Sequence, residues 1–216
     1  MNCGLIGWIL MRVLRAFWPT VLLSASLASA QKPLDLVLVL EPVNWADAPG
    51  GRVARTEEEL KLRPDDRLAV VELIGGPKVK ARLGEGKTKV GMRWRPTFRF
   101  GAAAQGPEPT GRRVYDALEM ATKLLPDEYD PARQRAILLV TANEELGSKA
   151  TLKSVRASLA ASQARLAILA EPEPKGQKVF RRGVSLEPLA TDAGGEFRWL
   201  EGADPLNAAI EKLRAQ

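Results

Sequence analysis

Residues 34–40, Leu-Asp-Leu-Val-Leu-Val-Leu, form an aliphatic run interrupted only by Asp35. Its length and β-branched content predict a first strand, central and buried on both faces of a parallel sheet. A second run, Arg67–Ile74, reads as another strand, turning through Gly75-Gly76-Pro77 into Lys78–Leu83. There, charged and apolar residues alternate, predicting one wet face and a place at or near a sheet edge. Met92–Phe100 alternates again, and Pro96 restricts it to an edge or a bulge. Between the first two strands lie a Pro/Gly-containing loop, Ala46–Arg52, and a short capped helix at Thr56–Leu60, ended by Pro64-Asp65-Asp66.

The second half switches to helical spacing. Arg113–Leu125 sets Val114, Ala117, Leu118, Ala121, Leu124 and Leu125 on one face, and Lys149–Ser162 does the same with Leu152, Val155 and Leu159. Strands are predicted at Arg135–Thr141, Ala164–Ala170 and Glu196–Leu200. A short helix covers Leu186–Thr191, closed by Gly194-Gly195, and Asp204-Pro205 caps a final helix striped by Leu206, Ala209, Ile210 and Leu213. Strands alternating with helices predict an α/β, doubly wound fold, a mostly parallel sheet flanked by helices with one antiparallel edge strand.

The first thirty residues stand outside this pattern. Arg12 and Arg15 precede an apolar stretch, Ala16–Leu27, and Ala28-Ser29-Ala30 has the small-x-small form of a signal-peptidase site. Residues 1–30 are therefore expected to be a signal peptide, giving an exported, periplasmic or extracellular protein that meets the membrane only during export. An uncleaved anchor helix is the alternative, although the stretch is shorter than the roughly 20 residues of a membrane span. Residues 31–216, 186 in all, suffice for one domain with its own core.

Composition then narrows the chemistry. The chain has no histidine, and its one cysteine, Cys3, lies in the leader. Disulfides, thiol nucleophiles, zinc held by His or Cys, and Ser-His-Asp catalysis are excluded from the mature domain. Net charge is +6, or +4 without Arg12 and Arg15. Residues 78–100 carry eight cations against Glu85, hence +7, which leaves the rest of the domain at −3. The basicity is local.

The order of these elements, with Asp66–Val71, Gly111–Leu118, Arg135–Thr141 and Leu186–Phe197, resembles the von Willebrand factor type A domain of exported bacterial proteins over about residues 34–213. The resemblance implies a divalent cation held by Asp-x-Ser-x-Ser after the first strand, a Thr before the Tyr-Asp-Ala-Leu helix, and an Asp after the fourth-strand Thr. Here the first motif reads Glu41-Pro42-Val43-Asn44-Trp45, the threonine position is Arg112, and the aspartate position is Ala142. Mg²⁺ demands near-octahedral oxygen ligation. With Val43, Trp45, Arg112 and Ala142 at ligand positions, no metal and no other cofactor is expected. Either Arg112 takes the cation's place beside Glu41, or Arg112 points to solvent and Glu41 is exposed. Only 24 residues separate Glu41 from Asp66, so the helix that follows the metal loop in the family is truncated.

Three function classes follow. A metal-independent module would bind another protein through Asn44 and Trp45 or through Arg93, Trp94, Arg95 and Arg99, since Trp and Arg are enriched at interface hot spots; Trp45 could instead plug the vacated metal pocket. A polyanion, whether polysaccharide, nucleic acid or acidic lipid, would bind the Lys78–Arg99 stripe, which otherwise is the solvated face of an edge strand. An enzyme is disfavoured, because Glu144-Glu145 and Glu57–Glu59 have no spacing that separates a catalytic pair from a solvated loop. The expected protein is a non-catalytic binding module of unspecified oligomeric state.

Overall fold

The computed structural model describes residues 31–41, 60–73, 76–85, 113–171, 186–201 and 204–215. The chain forms two compact units, Met1–Gln31 and Lys32–Gln216. The expected signal peptide, the expected helix at Thr56–Leu60 up to Glu59, and the expected strand at Met92–Phe100 lie outside the described residues.

Six strands build one sheet: β1 (Leu34–Leu40), β2 (Arg67–Leu73), β3 (Pro77–Ala81), β4 (Gln134–Thr141), β5 (Arg165–Ala170) and β6 (Glu196–Trp199). Their order is β3-β2-β1-β4-β5-β6, parallel except for β3 against β2. The described helices are α1 (Val114–Thr122), α2 (Leu152–Ser162), α3 (Glu187–Asp192) and α4 (Pro205–Ala215).

Alternation along β1 sends its side chains to two cores. Leu34, Leu36, Leu38 and Leu40 pack with α4 through Leu206, Ala209, Ile210 and Leu213. Val37 and Val39 pack with α1, α2 and α3 through Leu118, Val155 and Leu189. Helices on both faces are what an aliphatic run without polar alternation requires.

Asp35, the interruption in that run, is 1% exposed. Arg67 meets it with both Nε (2.7 Å) and Nη2 (2.5 Å), and Arg133 Nε adds a third bond at 2.8 Å. Three donors satisfy the buried carboxylate and fix the register of β1 on β2. Opposite the β1 start, buried Asp66 accepts from Leu34 N–H (2.8 Å) and from the Arg214 guanidinium, tying α4 to the sheet.

Two details differ from the sequence reading. Val79 was expected to share the inner face of β3 with Ala81, yet it is 40% exposed. The β2–β3 register shifts by one residue, Val71 facing Val79 and Val70 facing Ala81, so the bulge sends the two to opposite faces. And α2 begins three residues later than Lys149, because Thr151 and Ser154 close a capping box while the Lys149 and Ala150 amides bond Asp116.

Candidate functional site

The chain leaves β1 toward β2 on one side and reaches β4 on the other, so the carboxyl ends of β1 and β4 flank the point where the strand order reverses. Open α/β sheets place ligands in that crevice. Glu41 stands at the β1 end and Thr141, Ala142 and Asn143 at the β4 end.

Glu41 is 5% exposed. Its Oε2 accepts from the Thr141 hydroxyl at 2.5 Å and from the Ala142 amide at 3.0 Å, and its own N–H donates to Val140 O at 2.9 Å. Thr141 Oγ1 accepts in turn from the Asn143 amide at 3.1 Å. Asn143 adopts a left-handed φ of 62°, which its short polar side chain tolerates, and its Oδ1 accepts from Leu186 N–H at 3.2 Å. One polar chain thus runs from β1 through β4 to the start of α3.

The β4–α2 loop is clasped to the N-terminus of α1. Glu145 Oε2 accepts from Tyr115 N–H (2.8 Å) and from Ser148 Oγ (3.0 Å), and its Oε1 from Ser148 N–H (2.9 Å). Asp116 returns the contact through Oδ1, which accepts from the Lys149 and Ala150 amides at 3.0 and 2.8 Å. Arg113 holds its Oδ2. Burial alone would raise the Asp116 pKa, but those two amides and the Arg113 guanidinium outweigh it and hold the carboxyl below its ordinary value. Tyr115 is pushed upward, first by burial and then by the Glu145 charge, against a smaller opposing effect of Arg156.

Of the residues singled out in the sequence, the fold brings Glu41 and Ala142 into direct contact. Glu41 is buried, not exposed. Val43, Asn44, Trp45, Arg112, Arg93, Trp94, Arg95 and Arg99 lie outside the described residues. Of Glu144-Glu145, Glu145 turns to the start of α1. The bonds of Asp116 N–H to Ser148 and of Leu186 N–H to Asn143 span 32 and 43 residues, so no local spacing in the sequence announces them.

The described donors do not fit a hard divalent cation. Glu41 Oε2 already takes two protein hydrogen bonds, and Ala142 contributes a donor amide where a carboxylate would be needed. Among the described residues no three His, Cys, Asp or Glu side chains converge as metal ligands.

No family model and no curated protein sequence matches the chain. Solved structures do. An aerotolerance-related membrane protein from Bacteroides fragilis NCTC 9343, carrying multiple mutations to serines, is 13% identical with a TM-score of 0.56, over 85% of this chain and 100% of that one. The conserved hypothetical protein BatB from Bacteroides thetaiotaomicron is 14% identical with a TM-score of 0.51 and the same coverage. Manganese-loaded TRAP protein from Plasmodium vivax is 16% identical with a TM-score of 0.51, over 85% of this chain and 74% of that one. At these identities the likeness establishes the fold alone.

Proposed function

The chain has the von Willebrand factor type A fold, and on that premise we propose that it is an exported, non-catalytic protein-interaction module whose strand-end face works without a divalent cation. The observation that carries this reading is the closure of Glu41 by Thr141 and Ala142. A carboxylate held by the protein's own donors stabilises the β1–β4 crevice directly, which is the task a bound cation would otherwise perform. Asn44 and Trp45, which follow Glu41 in the sequence, are the residues this reading assigns to partner contact. The role of "membrane protein" given to the Bacteroides fragilis structure is in keeping with a module that works at the cell envelope.

Thermal unfolding in EDTA and in millimolar Mg²⁺, Mn²⁺ or Ca²⁺ tests the reading. A cation at about 100 times its dissociation constant adds roughly 2.7 kcal/mol, a rise of roughly 5 to 11 °C for a domain of this size. An unmoved midpoint is expected. A rise of that size refutes cation independence. Export is tested separately by the intact mass of the chain recovered from its host, which should begin at Gln31.

A second reading, polyanion binding by the Lys78–Arg99 stripe, draws on the exposed Lys78, Lys80 and Arg82 at the start of that stripe. It predicts retention on a sulfated polysaccharide that falls steeply with salt; retention without salt dependence rules it out.

A further inference from the structure

On the sheet face opposite α4, at the amino ends of β5 and β6, the last turns of α2 and α3 wall a groove of about 510 Å³. Its floor is Leu159, Ala164 and Leu189, all buried, and its rim carries Arg156, Gln163 and Asp192. That volume lies in the range of pockets that hold a compact ligand. Gly194 stands at the α3 end of the groove, where a Cβ would meet nothing within 4 Å. The groove is open there.

The surroundings favour a cation. Both walls are helix C-termini, where the aligned peptide dipoles concentrate negative charge. Neither helix has a basic residue in its last turn, in contrast to α4, whose last turn holds Lys212 and Arg214. Asp192 adds a carboxylate, paired with Arg156 at 2.5 Å, and both side chains remain nearly half exposed. A pair so exposed is weakly held and exchanges partners at little cost.

The α1–β4 loop extends this rim. Arg135 donates to Ser162 O at the end of α2 (3.0 Å) and to Glu128 O, and its guanidinium stacks on Tyr129, 5.3 Å from the ring centroid. One buried side chain thus holds the loop, with exposed Asp127, Glu128 and Asp130, against the end of α2. Among the described residues the carboxylates of Asp127 and Glu128 meet no partner. Tyr129 is 50% exposed and presents an aromatic face to an arriving cation.

We propose that this groove receives a segment of a partner protein in which lysine or arginine alternates with apolar residues. Its apolar side chains settle on Leu159, Ala164 and Leu189, and its cations take the two helix ends and Asp192, releasing Arg156 to solvent. An acidic segment is repelled by the helix ends, and a purely apolar one forgoes the rim. The site lies at the end of the sheet opposite the Glu41 crevice and does not depend on how that crevice treats cations.

Chemical-shift titration of the chain, produced from its full sequence so that it keeps the N-terminus its host leaves, tests this with the capped peptide Leu-Lys-Leu-Lys-Leu. The amides of Ala160, Gln163, Ala193 and Gly194 should shift and saturate, and Leu-Ser-Leu-Ser-Leu should bind several-fold more weakly. Asp192→Asn should weaken binding several-fold, and Arg156→Ala, which frees Asp192, should strengthen it. Ala160 is exposed on the groove wall, so Ala160→Trp should fill the groove and abolish binding without moving the unfolding midpoint. Absence of a saturable shift up to millimolar peptide overturns the proposal, as does equal binding of the serine peptide, or shifts confined to the amides of Glu41 and Asn143 at the other end of the sheet. Groove amides that shift with protein concentration alone would make the occupant a second copy and overturn the assignment to a different partner. If Ala160→Trp disturbs the fold, the opposite effects of Asp192→Asn and Arg156→Ala decide.

Discussion

Thr141 donates its hydroxyl to Glu41 at 2.5 Å across the seam between β1 and β4, joining residues 100 positions apart at the point where the strand order reverses. Thr141 is wholly buried, so water cannot replace it. Thr141→Val keeps the shape and leaves the Glu41 carboxylate short of a donor, at a cost of about 1–3 kcal/mol. The midpoint of thermal unfolding should fall by several degrees, and Thr141→Ser should recover most of it. Equal stability of Val and Ser variants would show that the hydroxyl does not support the crevice.

At the opposite edge, removing Asp35 strands the two arginines that converge on it. Arg67 is 40% exposed and can rehydrate, and Arg133 keeps a second bond to Asp65 O at 2.8 Å. The loss for Asp35→Ala is therefore about 2 kcal/mol, at or below the low end for breaking a buried pair. Chemical denaturation should show a lower midpoint with an unchanged denaturant slope.

The clasp between the β4–α2 loop and α1 gives a definite acid limb. Asp116 has a depressed pKa in the fold, so its contribution is complete above the ordinary value of 3.8 and is lost as pH falls through the folded value. Stability should drop below about pH 4, and Asp116→Asn should flatten that limb while lowering stability at neutral pH. Tyr115 behaves with the opposite sign. Its raised pKa gives stability that is present below the ordinary value of 10.0 and is lost as pH rises beyond it. Unfolding free energies measured across pH 2–11 check both limbs; a Tyr115→Phe variant with the same alkaline loss as the parent would contradict the second.

Gly195 joins α3 to β6 at a close approach, where a Cβ would stand 2.0 Å from Leu166 O. That oxygen belongs to the backbone of β5 and cannot yield without moving the strand. Gly195→Ala should destabilise by more than about 2 kcal/mol and loosen β6, read as faster amide exchange at Ile168 and Arg198. Unchanged exchange there would mean that the strand yields without loss.

How much of this was open to a reader of the sequence depends on the range of the interaction. The helices announced themselves through Val114, Ala117, Leu118 and Ala121, and through Leu206, Ala209, Ile210 and Leu213, because a 3.6-residue period is a local property. The strands did so through unbroken aliphatic runs. Glu41 and Ala142 fall at one site by resemblance, and in the fold the Ala142 amide donates to Glu41 at 3.0 Å. Asp35 looked like a flaw in its strand because Arg67 and Arg133, its justification, stand 32 and 98 residues away.

The sequence by itself determined the alternation of strands and helices, the two-sided burial of β1, and the absence of histidine chemistry. All three follow from spacing and residue type, which carry their physical meaning without reference to distant parts of the chain. Tertiary structure alone decided the strand order, the bulge that turned Val79 outward, the clasp of Glu145 on Tyr115, and the closure of Glu41 by Thr141. Each depends on which strand end meets which loop. That meeting is fixed by the packing of the two cores on either side of the sheet, and no local pattern encodes it.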